Sequence, residues 1–190
     1  MKNKMISVAF LLLGGCVATS QLVEEGEIKA SEFKGGFSLP DQQSVSFKYE
    51  RQVFPGGGWR QTISWTSGGP EKRFVMHVLD ANGTTYLMNR VPFSQAVPKM
   101  DTGFENKNLK FGKVFGVKSE FGIVDSQRFS VEDNECVAFF QALRLHPETA
   151  YKGIGDGLLE GFYCSAKGTP LKEEAIMKFL SSIRFKGETL

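Results

Sequence analysis

The residues of this 190-residue chain that are best suited to chemistry are three cysteines and two histidines. Cys16 follows an apolar stretch near the N-terminus, whereas Cys136 and Cys164 lie in the C-terminal part of the chain. His77 and His146 are far apart, and neither belongs to a metal-binding or hydrolase motif. The sequence therefore suggests four kinds of chemistry: a modified thiol, a disulfide, a metal ligand and a general base.

Cys16 ends a pattern typical of protein export. Lys2 and Lys4 form a positive head, residues 5–13 are almost entirely apolar, and two glycines precede the cysteine. This order of charged, apolar and small residues is that of a secretory signal. The apolar run is too short to span a bilayer, which needs about 20 residues.

The stretch Leu13-Gly14-Gly15-Cys16 resembles the lipobox of bacterial lipoproteins. That resemblance implies cleavage before Cys16, attachment of diacylglycerol to its sulfur, and acylation of the new N-terminus, for example with palmitate. Val17 stands where an aspartate would signal retention in the inner membrane, so it implies the outer membrane, facing the periplasm. The alternative is an ordinary secretory signal with an incidental cysteine. We expect a signal peptide over 1–15 and a lipidated tether over 16–31.

Cys136 and Cys164 are the pair left after lipidation of Cys16. An even number of cysteines outside the cytoplasm predicts one structural disulfide. A redox pair usually has the spacing Cys-x-x-Cys, and a structural zinc site needs four ligands. Free or redox-active thiols and a metal site remain the alternatives, and we expect no metal.

Charge and composition disfavour further classes of function. The chain has 23 basic and 21 acidic side chains, and removal of the signal peptide takes away two lysines. Nucleic-acid-binding proteins normally show a basic excess, so we expect no nucleic acid. The glycine-rich stretch Gly153–Gly157 lacks the spacing and the later acidic residue of a dinucleotide-binding loop. We therefore expect no cofactor.

His146 is the one residue that we can name as a candidate catalytic base, because acidic residues lie close to it in the sequence. The chain lacks the Gly-x-Ser-x-Gly motif of a nucleophile elbow, so a surface-loop histidine is the simpler interpretation. His77 alternates with Met76 and Val78 in a predicted strand. We expect its side chain to point away from the main core.

Trp59 is the candidate partner-binding residue. It follows three glycines at the edge of a predicted loop, and tryptophan is a frequent anchor at protein interfaces. The alternative is that Trp59 packs at the start of a strand together with Ile63 and Trp65.

Strands are the main elements that must position these residues. Period-2 alternation or continuous apolar runs predict strands at 45–50, 59–65, 74–80, 84–88, 109–117, 121–131, 136–143 and 158–164. The pair Asn82-Gly83 predicts a hairpin between the strands over 74–80 and 84–88. The nearly continuous apolar run over 136–143 predicts a central strand covered on both faces.

Two helices complete the prediction. One lies over 92–100 and is kept brief by Pro98. The other follows Thr169 as its N-cap and carries an apolar stripe from Leu171 to Ile183 that should pack on the sheet. Residues 184–186 could add an edge strand. Antiparallel strands followed by an amphipathic helix predict one α+β domain over 32–190.

Residues 175–185 are similar to the last helix and strand of proteins with the PsbP-like fold of photosystems, which implies an α+β fold. The segment Gly161–Cys164 and the pair Pro170-Leu171 look like the C-terminal part of small uncharacterised proteobacterial envelope proteins, which implies no activity. We therefore expect a membrane-anchored, non-enzymatic envelope lipoprotein that binds another envelope component. A small envelope hydrolase and a protein with a pocket for an apolar ligand are the alternatives.

Overall fold

The computed structural model describes residues 22–40, 45–66, 72–82, 91–104, 106–145 and 156–186. The predicted signal peptide, Cys16 and His146 lie outside these ranges. So do residues 153–155 of the glycine-rich stretch and the strand predicted over 84–88.

The described residues form ten strands, two α-helices and two 3₁₀ turns, Ala30–Glu32 and Thr102–Phe104. The helices are α1 (Phe93–Met100) and α2 (Glu173–Ser181). The strands are β1 (Glu24–Glu27), β2 (Gly35–Gly36), β3 (Lys48–Val53), β4 (Trp59–Thr66), β5 (Lys72–Asp80), β6 (Leu109–Ser119), β7 (Gly122–Val131), β8 (Asn134–Leu143), β9 (Gly157–Cys164) and β10 (Arg184–Phe185).

Eight of these strands build one antiparallel sheet in the order β1-β3-β4-β5-β9-β8-β7-β6. This arrangement confirms the predicted α+β class. Most neighbours in the sheet are also neighbours in sequence, as expected for hairpin connections. Two neighbouring pairs are not consecutive in the chain. One is β1 with β3, which the short β2 separates, and the other is β5 with β9, whose pairing joins the two halves of the chain in the middle of the sheet.

The two helices cover opposite faces of the sheet. On one face, Phe179 of α2 packs against Phe139, Tyr163 and Phe74, with ring centroids 5.5, 5.6 and 6.1 Å apart. On the other face, Phe93, Val97 and Met100 of α1 are buried in a second apolar cluster. We call these the α2 face and the α1 face. The amphipathic stripe predicted for the C-terminal helix therefore packs on the sheet, as expected.

The alternation of side chains along β5 explains why this strand is central. Phe74, Met76 and Val78 face α2, whereas Val75 faces α1, and all four are fully buried. β8 follows the same rule, with Val137 and Phe139 on one face and Cys136 and Ala138 on the other. The prediction of a central strand over 136–143 is confirmed.

Residues 24–27 belong to the sheet and not to a tether. β1 pairs antiparallel with β3, from Glu24 opposite Val53 to Glu27 opposite Glu50. The predicted end of the tether at residue 31 is therefore wrong. Pairing with β3 satisfies the backbone groups on one side of this acidic segment, while all its side chains stay exposed. Because it buries no side chain, its sequence shows no apolar alternation that would indicate a strand.

The second strand of the hairpin predicted across Asn82-Gly83 lies outside the described residues, so the hairpin stays a prediction. In the described residues, β5 pairs with β4 on one side and with β9 on the other. Asn82 does adopt a positive φ of 52°, and its backbone N–H donates to Oδ1 of Asp80 at 2.6 Å. The asparagine thus ends β5 in a turn.

The C-terminal helix begins later than the predicted cap at Thr169. Its N-cap position is Lys172, which makes no side-chain capping bond. The N–H of Leu171 donates instead to Oε2 of Glu135 at 2.8 Å. This contact holds the preceding residues against β8, and the helix starts only after them.

The predicted short helix and the predicted edge strand after α2 are both present. α1 spans Phe93–Met100 and contains Pro98 within its last turn. The predicted edge strand after α2 forms β10, which pairs with β2 in a separate two-stranded sheet.

Candidate functional site

Three polar side chains lie in one row across three adjacent strands on the α1 face. Thr62 of β4 is directly opposite His77 of β5, and His77 is directly opposite Glu160 of β9. Oγ1 of Thr62 and Nδ1 of His77 are 2.8 Å apart, a hydrogen-bond distance. All three side chains are half-buried. We call Thr62, His77 and Glu160 the polar row.

Glu160 is the electrostatically unusual member of the row. Burial raises the pKa of its carboxyl above the ordinary value, and the guanidinium of Arg60 opposes that shift. Arg60 is itself positioned by Gln52, whose Oε1 accepts hydrogen bonds from both Nε, at 3.0 Å, and Nη2. The hydrogen bonds to Gln52 therefore hold the Arg60 cation within electrostatic range of the Glu160 carboxyl.

The polar row continues the apolar surface that α1 covers. Val75 and Phe162 belong to the α1 cluster, and each lies two positions along its strand from a member of the row, His77 or Glu160. Period-2 alternation therefore places His77 on the face opposite the α2 core.

The row holds a hydroxyl, an imidazole and a carboxyl, which are the groups of a hydrolytic triad. Acyl transfer also needs backbone N–H groups that stabilise the oxyanion. β4, β5 and β9 are each paired on both sides, so their N–H groups are used in the sheet. The arrangement is suited to hydrogen bonding and to holding a proton, and less suited to nucleophilic catalysis.

Sequence reasoning singled out His77 but missed Thr62 and Glu160. Glu160 had a usable signal, because it is the only charged residue in the strand Gly157–Cys164. Thr62 had no such signal in the sequence, because threonine is common at alternating positions of strands. Their juxtaposition depends on the register of β5 against β4 and β9.

Trp59 lies at the start of β4 and is half-buried against the apolar cluster of the α2 face. The guanidinium carbon of Arg51 lies 6.0 Å from the centroid of its ring. Part of the ring is thus available to a partner, and part contributes to packing. A partner-binding role for Trp59 stays a prediction.

Cys136 and Cys164 are directly opposite each other on β8 and β9 and form a disulfide, with an S–S distance of 1.97 Å. Both are buried beneath α1. Within the described ranges, no group of three or more histidine, cysteine or acidic side chains could hold a metal ion. His146 and Cys16 lie outside these ranges, and their predicted roles stay predictions.

A small cavity of about 230 Å³ lies between the start of α2 and the strands β6, β7 and β8. Arg128, Glu135, Leu171 and Ile176 contribute to its lining. Its volume is below the roughly 300–1,000 Å³ typical of small-molecule sites. The cavity does not favour a pocket for a large apolar ligand.

No family model, curated protein or solved structure matches this chain. Among the helices of the described residues, none has the length and apolar character needed to cross a membrane.

Proposed function

We propose that this protein is a lipid-anchored lipoprotein of the bacterial cell envelope whose domain binds another envelope component without catalysing a reaction. The observation that carries the proposal is the lipobox-like sequence Leu13-Gly14-Gly15-Cys16 after a charged and apolar leader. The acylated N-terminus would hold the protein at the outer membrane, facing the periplasm. Several acyl chains suffice for stable attachment without a basic patch.

The distance from Cys16 to the sheet supports this arrangement. Glu24 begins β1, so the segment between the lipid and the domain is short and can span at most about 28 Å. The domain would then stay close to the bilayer and meet other envelope components there. A binding role also fits the polar row, whose strands use their backbone donors for pairing instead of catalysis.

The test is the variant Cys16→Ser, compared with the unchanged protein. We expect loss of metabolic lipid labelling and release from the membrane fraction. In parallel, cross-linking in intact envelopes followed by mass spectrometry should identify a dominant partner that is lost with the anchor. Persistent labelling of Cys16→Ser would contradict the anchor, and the absence of an anchor-dependent partner would contradict the binding role.

Trp59→Ala addresses the predicted partner-binding residue. Weaker capture of the partner without a change in thermal stability would support an anchor role for Trp59. Equal loss of capture and stability would assign it to packing against the α2-face cluster.

A further inference from the structure

Among the described residues, the outer edge of β6 is the longest free edge of the sheet. β6 is the last strand in the sheet order and contains 11 residues, whereas β1 at the opposite edge has four. Within the described part of the chain, only β7 pairs with β6. A free edge presents unpaired backbone N–H and C=O groups that can pair with another extended chain.

The charged residues of β6 are all basic and exposed: Lys110, Lys113 and Lys118. Lysine on an edge strand often prevents unwanted pairing when it interrupts the edge. Here the four residues from Val114 to Val117 are uncharged, and Lys113 and Lys118 flank them. The bulge in the β6–β7 register lies between Phe111 and Val114, so the pairing is regular from Val114 onward.

An exposed apolar surface lies beside this uncharged segment. Val114 is 53% exposed and Ile123 is 59% exposed. Gly116 lies between them, and Cγ2 of Ile123 is only 2.8 Å from the position that a Cβ on Gly116 would take. Because the glycine has no side chain, Ile123 covers the backbone of β6 near its free edge.

We propose that the free edge of β6 binds an acidic, extended segment of a partner protein as an additional strand of the sheet. The backbone of the segment's central residues would pair with Val114–Val117. Apolar side chains on one of its faces would cover Val114 and Ile123, and acidic residues at its two ends would meet Lys113 and Lys118. Charge complementarity selects the acidic partner, and main-chain pairing supplies the binding mode.

This inference deepens the proposed function and rests on it, because it names the surface and the kind of partner through which the domain would bind. Lys113 and Lys118 are about 17 Å apart along an extended strand. A matching segment therefore carries its acidic residues five positions apart.

The direct test uses the full lipidated protein in detergent and a fluorescent synthetic peptide, Glu-Thr-Val-Thr-Val-Glu. Fluorescence anisotropy measures its dissociation constant. We expect binding that is weakened about tenfold in the double variant Lys113→Glu/Lys118→Glu. The matched control Lys99→Glu/Lys178→Glu makes the same change in net charge on the two helices and should alter the constant less than about twofold.

A second peptide separates strand pairing from simple charge attraction. It has the same sequence but N-methylated backbone amides, so it keeps its charges and loses its main-chain donors. We expect it to lose binding. Equal binding of both peptides would overturn the strand-addition mode, and absence of binding by the first peptide would overturn the proposal as a whole. Self-association of the protein that the acidic peptide does not compete away would instead assign the edge to a second copy, which also overturns it.

The envelope cross-linking experiment distinguishes this inference from the proposed function. Loss of the partner in Lys113→Glu/Lys118→Glu, with lipid labelling intact, would support the β6 edge as the binding surface. Retention of the partner in that variant would overturn the inference while leaving the proposed function standing. Failure of the unchanged protein to capture a partner would count against the proposed function itself.

Discussion

Because the surrounding protein buries its carboxyl, Glu160 makes the stability of the folded protein depend on pH. Its side chain is on a central strand, where burial penalises the ionised form, and only Arg60 acts to lower its pKa. The folded protein therefore binds a proton more tightly at this site than the unfolded chain does. Ionisation of Glu160 costs stability as the pH rises from the ordinary carboxyl pKa of 4.5 through the higher folded value.

Glu160→Gln should raise the melting temperature at pH 7, because glutamine carries no charge to be desolvated. The gain should shrink as the pH falls and vanish near pH 4, where the unfolded carboxyl is also largely protonated. Thermal unfolding between pH 4 and pH 8 measures this. The control Glu120→Gln makes the same substitution at an exposed turn, and at pH 7 it should change the melting temperature less than Glu160→Gln does. A pH-independent effect of Glu160→Gln would contradict the assignment.

Gly161 is the residue at which the sheet tolerates least change. A Cβ at this position would clash with the carbonyl oxygen of Val75 and lie 2.7 Å from Cζ of Phe139 and 2.9 Å from Cα of Met76. Gly161→Ala should therefore lower the free energy of unfolding by about 1–3 kcal/mol, as overpacking does. Urea titration measures the loss.

Gly26→Ala is the matched control for Gly161→Ala. Gly26 also lies in a strand, but nothing is within 4 Å of the position of its Cβ. We expect a change within about 0.5 kcal/mol. Equal effects of the two substitutions would mean that crowding at Gly161 is relieved by backbone movement.

At the scale of elements, β1 is an edge strand that protects β3. The N–H of Val23 donates to the carbonyl of Val53 at 2.9 Å, and Nε2 of Gln52 donates to Oε1 of Glu25 at 2.8 Å. Its exposed acidic side chains discourage pairing with other chains. Removing it would leave the longer strand β3 as the free edge.

A chain that begins at Ile28 should therefore be less stable than one that begins at Leu22. We expect a loss of roughly 1–2 kcal/mol from the broken backbone pairs, together with self-association at the exposed edge of β3. Urea titration and size-exclusion chromatography measure the two effects. Identical stability of the two chains would show that β1 contributes nothing to the sheet.

The disulfide joins β8 to β9, two neighbouring strands in the interior of the sheet. Cys136→Ala/Cys164→Ala should lower the free energy of unfolding by roughly 3–4 kcal/mol, the chain-entropy value for a loop of this length. Reduction of the unchanged protein should give a similar loss in urea titration. Unequal losses would point to repacking around the alanines, and no loss in either case would contradict the prediction.

At the scale of the whole molecule, the sheet order separates the anchor from the proposed binding edge. Eight strands at the usual spacing put β6 about 34 Å from β1. In the proposed lipoprotein, the short segment after Cys16 holds β1 near the bilayer. β6 then extends into the periplasm.

Fluorophores at Glu24→Cys and Lys113→Cys test this orientation in the lipidated protein on vesicles. Nitroxide-bearing lipids should quench the label at position 24 more strongly than the label at position 113, because quenching is short-ranged. Equal quenching at both positions would contradict an orientation set by the anchor. The same labels on the Cys16→Ser protein, which should not bind vesicles, are the control.

Much of the architecture could be predicted from the sequence because its signals are local. Period-2 alternation indicated β4 and β7, the apolar run indicated the central strand β8, and helical spacing indicated α2. These patterns arise because burial of one or both faces of an element requires apolar residues at regular positions along it. The acidic edge strand β1 buries no side chain, so its sequence has no such pattern.

Only the tertiary structure decided which distant strands meet. The pairing of β5 with β9 placed Glu160 opposite His77. It also left β6 as the free edge. Strand pairing across a long stretch of chain is selected by the packing of both sheet faces and by register, which no local pattern encodes. The sequence by itself therefore determined most elements and the chemistry expected at Cys16, whereas the polar row and the β6 edge exist only in the folded molecule.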